Sequence, residues 1–87
     1  MSENSNVLIY ATGLCGFCKA AMRLLDKKNV VYETIRVDQD HEQLDIMKQR
    51  SGRRTVPQIF VGDHHIGGFD DLSELEATGQ LDQVLSG

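Results

Sequence analysis

The sequence predicts an α/β fold, with a four-stranded mixed sheet flanked by helices in the order βαβαββα. Three observations predict it. Short apolar, β-favouring runs alternate with segments of helical periodicity, the pattern of strand–helix–strand crossovers. A Gly62-Asp63 pair between two strand-like runs marks a hairpin. The 87 residues, 40% of them hydrophobic, carry no linker, repeat or low-complexity tract, which predicts one domain over residues 1–87 with one core.

The elements follow in order. Val7-Leu8-Ile9-Tyr10 is a continuous apolar run suited to a strand buried on both faces. After a turn around Gly13, Phe17, Ala21, Leu24 and Leu25 recur at helical spacing, so the first helix is expected from about Phe17 to Lys28. Val30 to Val37 is rich in β-branched residues and predicts a second strand, with Glu33 and Arg36 outward. A helix between two strands implies a parallel crossover. Asp38, Asp40 and Gln43 provide helix-start chemistry, and Leu44 with Met47 forms the apolar stripe of a second helix ending before Ser51-Gly52. Val56 to Val61 is the third strand, and Gly62-Asp63 turns it into His64-His65-Ile66, the fourth. Gly67-Gly68 ends that strand. Asp70 and Asp71 are placed to cap a last helix carrying Leu72 and Leu75, with Gly79 as its stop and Leu81, Val84 and Leu85 in a final turn.

The chain opens Met1-Ser2-Glu3-Asn4-Ser5-Asn6, without the basic start and long apolar stretch of a secretory signal, and no apolar run approaches membrane-spanning length. A cytoplasmic location is expected. A formal charge of −4 argues against nucleic acid or an anionic membrane as main partner. Arg50, Arg53 and Arg54 form a local basic cluster, either a solvated helix end or a receptor for a carboxylate.

The two cysteines, Cys15 and Cys18, stand three apart where an apolar run gives way to a helix. In a reducing compartment a bridge across two intervening residues closes too small a loop to serve as a staple, so the pair reads as reactive or metal-binding. Disulfide exchange needs a thiolate, and the unpaired N–H groups and positive dipole end of a helix start favour one. Cys15 occupies that place and is the expected nucleophile. Cys18, about one turn on and on the same face, is the expected resolving thiol. Lys19 nearby reads as a solvated lysine. Structural zinc takes four ligands, and His64 and His65, adjacent on a strand, point to opposite faces, so at most one could join the cysteines. Both read as solvated hairpin residues, and His41 as a polar residue of the second helix.

Beyond Cys15-Gly-Phe-Cys18, the segments Thr55-Val56-Pro57-Gln58-Ile59-Phe60 and Ile66-Gly67-Gly68-Phe69-Asp70-Asp71-Leu72 resemble the two glutathione-binding segments of the glutaredoxins. The resemblance runs from Val7 to Leu85 and is strongest to the short bacterial dithiol members. It implies a thioredoxin-like fold and a glutathione-dependent thiol–disulfide oxidoreductase. Its substrates would be glutathionylated or disulfide-containing proteins, ribonucleotide reductase among the family's partners, and it would act as a monomer in cell redox homeostasis. It implies that Pro57 is cis, beside the active thiol, and that Val56 pairs its backbone with the cysteinyl part of glutathione. Gly68 would admit a ligand backbone, while the Phe69 N–H and Asp70 hold the γ-glutamyl end. Thr12, Phe17, Thr55 and Asp71 fall at the same site.

The sequence departs from the family at two places. Gly16 and Phe17 replace the usual proline and tyrosine, and Cys-Gly-Phe followed by Ser marks the monothiol glutaredoxins, whose single cysteine binds a [2Fe–2S] cluster in a glutathione-bridged homodimer. Cluster binding at Cys15, as a carrier or sensor, is therefore the alternative function. Thr12 stands where the family carries a lysine that pairs with the glycine carboxylate of glutathione; Arg53 or Arg54 is the candidate replacement. A thioredoxin-like reductant working without glutathione is a third reading, which the Gly67-to-Asp71 segment disfavours.

Overall fold

The central strand β1 (Val7–Ala11) is apolar along its whole length because it is covered on both faces. The computed structural model describes residues 6–86; Met1–Ser5, on which the cytoplasmic expectation partly rests, lie outside them, as does Gly87. After β1 come α1 (Gly16–Lys27), β2 (Tyr32–Arg36), α2 (His41–Ser51), β3 (Gln58–Val61), β4 (His64–Gly67), α3 (Phe69–Ala77) and α4 (Leu81–Ser86). The sheet order is β2-β1-β3-β4. β2 runs parallel to β1, from Val7 opposite Tyr32 to Ala11 opposite Arg36, as the helical crossover requires. β3 runs antiparallel to β1, with Tyr10 opposite Gln58, and β4 completes the hairpin with Val61 opposite His64. The pairing skips Ile66 between Phe60 opposite His65 and Ile59 opposite Gly67, so β4 carries one bulged residue. The expected α/β class and mixed four-stranded sheet are the ones observed.

Alternation along the strands divides the core into two layers. Val7, Ile9, Ala11 and Ile59 pack with Cys18, Ala21 and Leu25 of α1, Leu72 of α3 and Leu81 of α4. On the opposite face Tyr10 and Phe60 pack with Val37 and with Met47 of α2. Tyr10 meets Phe60 edge-on, with centroids 5.8 Å apart, and the Arg50 guanidinium covers the Phe60 ring at 4.0 Å.

Several boundaries differ from the sequence-based expectation. The last helix is two: Gly79, with φ of 79°, ends α3 in a left-handed conformation, and the expected final turn is the separate helix α4, anchored by the fully buried Leu81. The order is therefore βαβαββαα. The second strand spans five residues rather than eight: Val30 N–H returns to Leu25 O at 2.9 Å to close α1, leaving Val31 81% exposed, and Val37 falls just past the strand end, its N–H still donating to Ala11 O at 2.9 Å. The third strand starts at Gln58 rather than Val56, since Val56–Pro57 is a cis peptide bond and Pro57 has no N–H for a ladder. Helix α1 begins one residue earlier than expected. At α2 the Asp40 carboxylate caps the helix, accepting from the Gln43 N–H at 3.3 Å. Among the described residues no helix is long and apolar enough to cross a membrane.

Lys28, just past the end of α1, ties the three helices of one face together. Its ammonium lies 2.8 Å from Glu76 of α3 and 2.7 Å from Asp82 of α4, and its side chain is only 15% exposed. The hydrogen bonds to Asp82 and Glu76 raise its pKa. A raised lysine pKa contributes stability that is complete below the unfolded value near 10.4 and is lost as pH rises through the folded value. Lys28→Met is expected to cost about 1 kcal/mol in urea unfolding at pH 7, and the difference from the parent chain should shrink as the measurement is repeated at pH values rising past the unfolded lysine value.

Candidate active site

The sheet register brings three chain segments to one edge: the end of β1, the start of β3 and the end of β4. From β1 the chain passes through Thr12, Gly13 and Leu14 into α1. That loop is braced from β2: the Gly13 N–H donates to Asp38 Oδ2 at 3.1 Å, and Arg36 forks onto the same carboxylate at 2.8 and 2.7 Å. The guanidinium of Arg36, with the Gly13 N–H, holds the Asp38 pKa down to about 2. A Cβ at Gly13 would collide with the Arg36 guanidinium.

Cys15 is the N-cap of α1, with extended backbone, and its Sγ accepts from the Cys18 N–H at 3.1 Å. The two cysteines are joined as a disulfide, with Cα atoms 5.2 Å apart. Their surroundings differ: Cys18 is buried against the core at 1% exposure, whereas Cys15 is partly exposed. The Cys15 sulfur also lies 3.9 Å from the Val56 carbonyl oxygen. Gly16 and Phe17 are exposed, and nothing lies within 4 Å of a Cβ built on Gly16.

Beside the sulfur runs a groove of about 300 Å³ lined by Phe17, Arg53, Thr55, Val56, Pro57, Gly68, Phe69, Asp70 and Asp71. Three stretches distant in sequence thus meet around one cavity. The Phe17 and Phe69 rings stack across it, 6.2 Å between centroids at 24°. At the start of α3 the N-cap is Gly68, not an aspartate: Asp71, at the third helical position, reaches back to accept from the Gly68 N–H at 3.0 Å. The same carboxylate accepts from Arg53 Nη1 at 3.1 Å. Gly67, with φ of 121°, permits this approach, since a Cβ there would strike the Asp71 carboxylate.

Of the expected site residues, eight line the groove, Cys15 lies beside it at Val56, and Cys18 is buried in the core behind Cys15; Thr12 is not among the lining residues. Arg53 lines it and Arg54 does not. Gln58 has no separate role in the sequence pattern, and His65 is expected there to be solvated. Gln58 is completely buried, and His65 is half-buried and bonded to it, so the solvated reading holds for His64 and is corrected for His65. The signal available was Gln58 itself, a polar residue inside an apolar strand.

A cysteine pair at the head of a helix following the central strand, on a thioredoxin-like fold, defines a thiol–disulfide oxidoreductase. The glutaredoxin family model matches residues 7–66, and this chain belongs to that family. It is 46% identical over 81 residues to glutaredoxin 1 of Rickettsia prowazekii, covering 91% of this chain and 85% of that protein. Among solved structures it is similar to a glutaredoxin from Brucella melitensis, with 40% identity, a TM-score of 0.86, and coverage of 98% and 92% of the two chains. It is also similar to buckwheat glutaredoxin in a complex with glutathione, with 33% identity, a TM-score of 0.85, and coverage of 94% and 76%.

The Gly68 N–H and, after it, Arg53 lower the pKa of Asp71. A depressed carboxylate contributes stability that is present above its unfolded pKa near 3.9 and is lost as pH falls through the folded value. Asp71→Asn should therefore destabilise by about 0.5–1 kcal/mol at pH 7, with the difference shrinking as pH is lowered past the unfolded carboxylate value in a series of denaturant titrations.

Proposed function

We propose that the protein reduces protein–glutathione mixed disulfides, with Cys15 as nucleophile, Cys18 as resolving thiol and glutathione as electron donor. The observation that carries this reading is the Cys15 sulfur, partly exposed, held by the Cys18 N–H at 3.1 Å and lying 3.9 Å from the carbonyl of a groove-lining residue. In the reduced protein the same N–H is in position to stabilise a thiolate. That thiolate attacks the glutathione sulfur of the mixed disulfide. A Cys15–glutathione bond forms as the old disulfide breaks, and the protein sulfur leaves as a thiolate that takes up a proton. A second glutathione thiolate then attacks the glutathione sulfur, releasing oxidised glutathione and the Cys15 thiolate. In the dithiol branch Cys18 displaces the glutathione instead, giving the Cys15–Cys18 pairing.

The groove supports glutathione as the ligand. The Val56 backbone offers strand-like pairing to the cysteinyl residue, and Thr55 and Pro57 shape the wall beside it. The exposed start of α3, with the Phe69 N–H and the Asp70 carboxylate, suits the charged γ-glutamyl end. With Thr12 in place of a lysine, Arg53 is the cation in the groove for the glycine carboxylate, and Asp71 holds its guanidinium. That the similar buckwheat glutaredoxin forms a complex with glutathione supports glutathione as the ligand. The whole chain acts as one domain in a reducing compartment, where the glutathione pool keeps the pair turning over. Replacing Cys15 with Ser should abolish release of glutathione from a glutathionylated peptide, whereas Cys18→Ser should retain it within a few-fold. Full activity in the Cys15 variant would refute the assignment.

A second reading, a [2Fe–2S] cluster bridging two copies, is favoured by the open space around Gly16, where a proline would crowd a ligand on Cys15. One chain offers only the Cys15 thiolate, so two glutathione thiols and a second copy must complete the ligand set. The bound group would be a carried or sensed cluster, and its loading requires the reduced form. Reconstitution with iron, sulfide and glutathione should then produce visible cluster absorption together with a dimer in sizing; a colourless monomer removes this reading.

A further inference from the structure

Gln58, the first residue of β3 and followed there by Ile59 and Phe60, is the one polar residue completely buried among the described residues. Core packing alone does not call for an amide there, since an apolar side chain of the same volume fills a strand interior with no polar group to satisfy. Its three hydrogen bonds say what it does. Nε2 donates to Thr55 O at 3.1 Å and to Thr55 Oγ1 at 3.2 Å, and Oε1 pairs with His65 Nε2 at 2.7 Å. A backbone carbonyl can only accept, so the amide nitrogen faces Thr55, its oxygen faces His65, and His65 Nε2 is the donor.

His65 is itself fixed. Its ring stacks on Phe60 at 4.8 Å and 30°, and the Arg50 guanidinium lies over the same Phe60 ring. Burial first, and Arg53 second, depress its pKa, so at neutral pH it is the neutral tautomer with its proton on Nε2. A chain of contacts therefore leads from α2 through Phe60, His65 and Gln58 to Thr55, the first residue of the groove wall that includes Val56.

We propose that Gln58, oriented by His65, is a positioning residue that holds the Thr55–Val56–Pro57 turn in register with the Cys15 sulfur and thereby sets affinity for the glutathione moiety. This rests on the groove being the glutathione site. Gln58 reaches back past Val56 and Pro57 to hold Thr55, so Val56 and Pro57 lie between two residues tied to each other. The Cys18 N–H that holds the Cys15 sulfur is not part of this chain of contacts. Loss of Gln58 should consequently raise KM and leave thiolate reactivity alone.

The test uses the full chain and one peptide in two forms, as its glutathione and its 2-mercaptoethanol mixed disulfide. Gln58→Met and His65→Leu are each expected to raise KM for the glutathionylated peptide about fivefold or more, with kcat within about twofold. The rate of Cys15 alkylation by iodoacetamide should be unchanged, and His65→Gln, which keeps a donor for Oε1, should restore the parent KM. An unchanged KM in a folded Gln58→Met protein overturns the inference. So does a change in KM matched by an equal change in alkylation rate. Should Gln58→Met fail to fold, the half-buried His65 pair decides: no rise in His65→Leu, or a rise that His65→Gln does not reverse, overturns it. A parent protein with no preference for the glutathionylated form defeats the glutathione reading itself, and the inference with it. A parent preference that Gln58→Met retains defeats the inference alone.

Discussion

A helix leaves the N–H groups of its first turn without intrahelical partners, and in α1 the acceptor that meets one of them is the Cys15 sulfur, 3.1 Å from the Cys18 N–H. This contact places the reactive atom at the positive end of the helix, where an anion is favoured. It also spaces the pair, because capping by residue 15 sets residue 18 one turn into the helix, facing the core. One cysteine is thus open to a partner and the other shielded. The loop before it cannot wander, since Asp38, just past the end of the neighbouring parallel strand, accepts from the Gly13 N–H and is itself held by Arg36.

The groove beside the sulfur follows from strand register. Because β1 and β3 are antiparallel, the end of one and the start of the other share an edge of the sheet, and the hairpin returns the end of β4 to the same edge. Two helix starts, those of α1 and α3, therefore open onto one cavity, together with the turn at Val56–Pro57. The charges there are balanced internally: Asp71 satisfies the Gly68 N–H and holds Arg53, while Asp70 at the exposed helix start keeps its carboxylate outward. Gly67 makes that arrangement possible by carrying no side chain where the Asp71 carboxylate lies.

Much of this was legible in the residue pattern. Apolar, β-branched runs mark the strands and helical spacing the helices, and the pair at Cys15 and Cys18 announces its chemistry by position alone. The misplacements share a cause. Val30 and Val31 have strand composition but lie outside β2, because β-branched composition does not register a backbone hydrogen bond back to Leu25. Leu81, Val84 and Leu85 continue an apolar pattern across a glycine that breaks the backbone, so one expected helix is two. His65 is half-buried where the pattern predicts a solvated residue, because exposure on a hairpin depends on which neighbours, here Phe60 and Gln58, sit against it.

Local chemistry by itself determined the class of fold, the reactive pair and the order of the segments around it, since periodicity, capping and cysteine spacing act over a few residues and are written there directly. The tertiary structure decided which distant residues serve the site. Arg53 rather than Arg54 faces the groove, Asp71 is bound to Gly68 and Arg53, and Gln58 ties the turn to the hairpin. Those outcomes depend on contacts between residues up to 18 apart in sequence, and on a register that shifts every side chain to the other face if it slips by one.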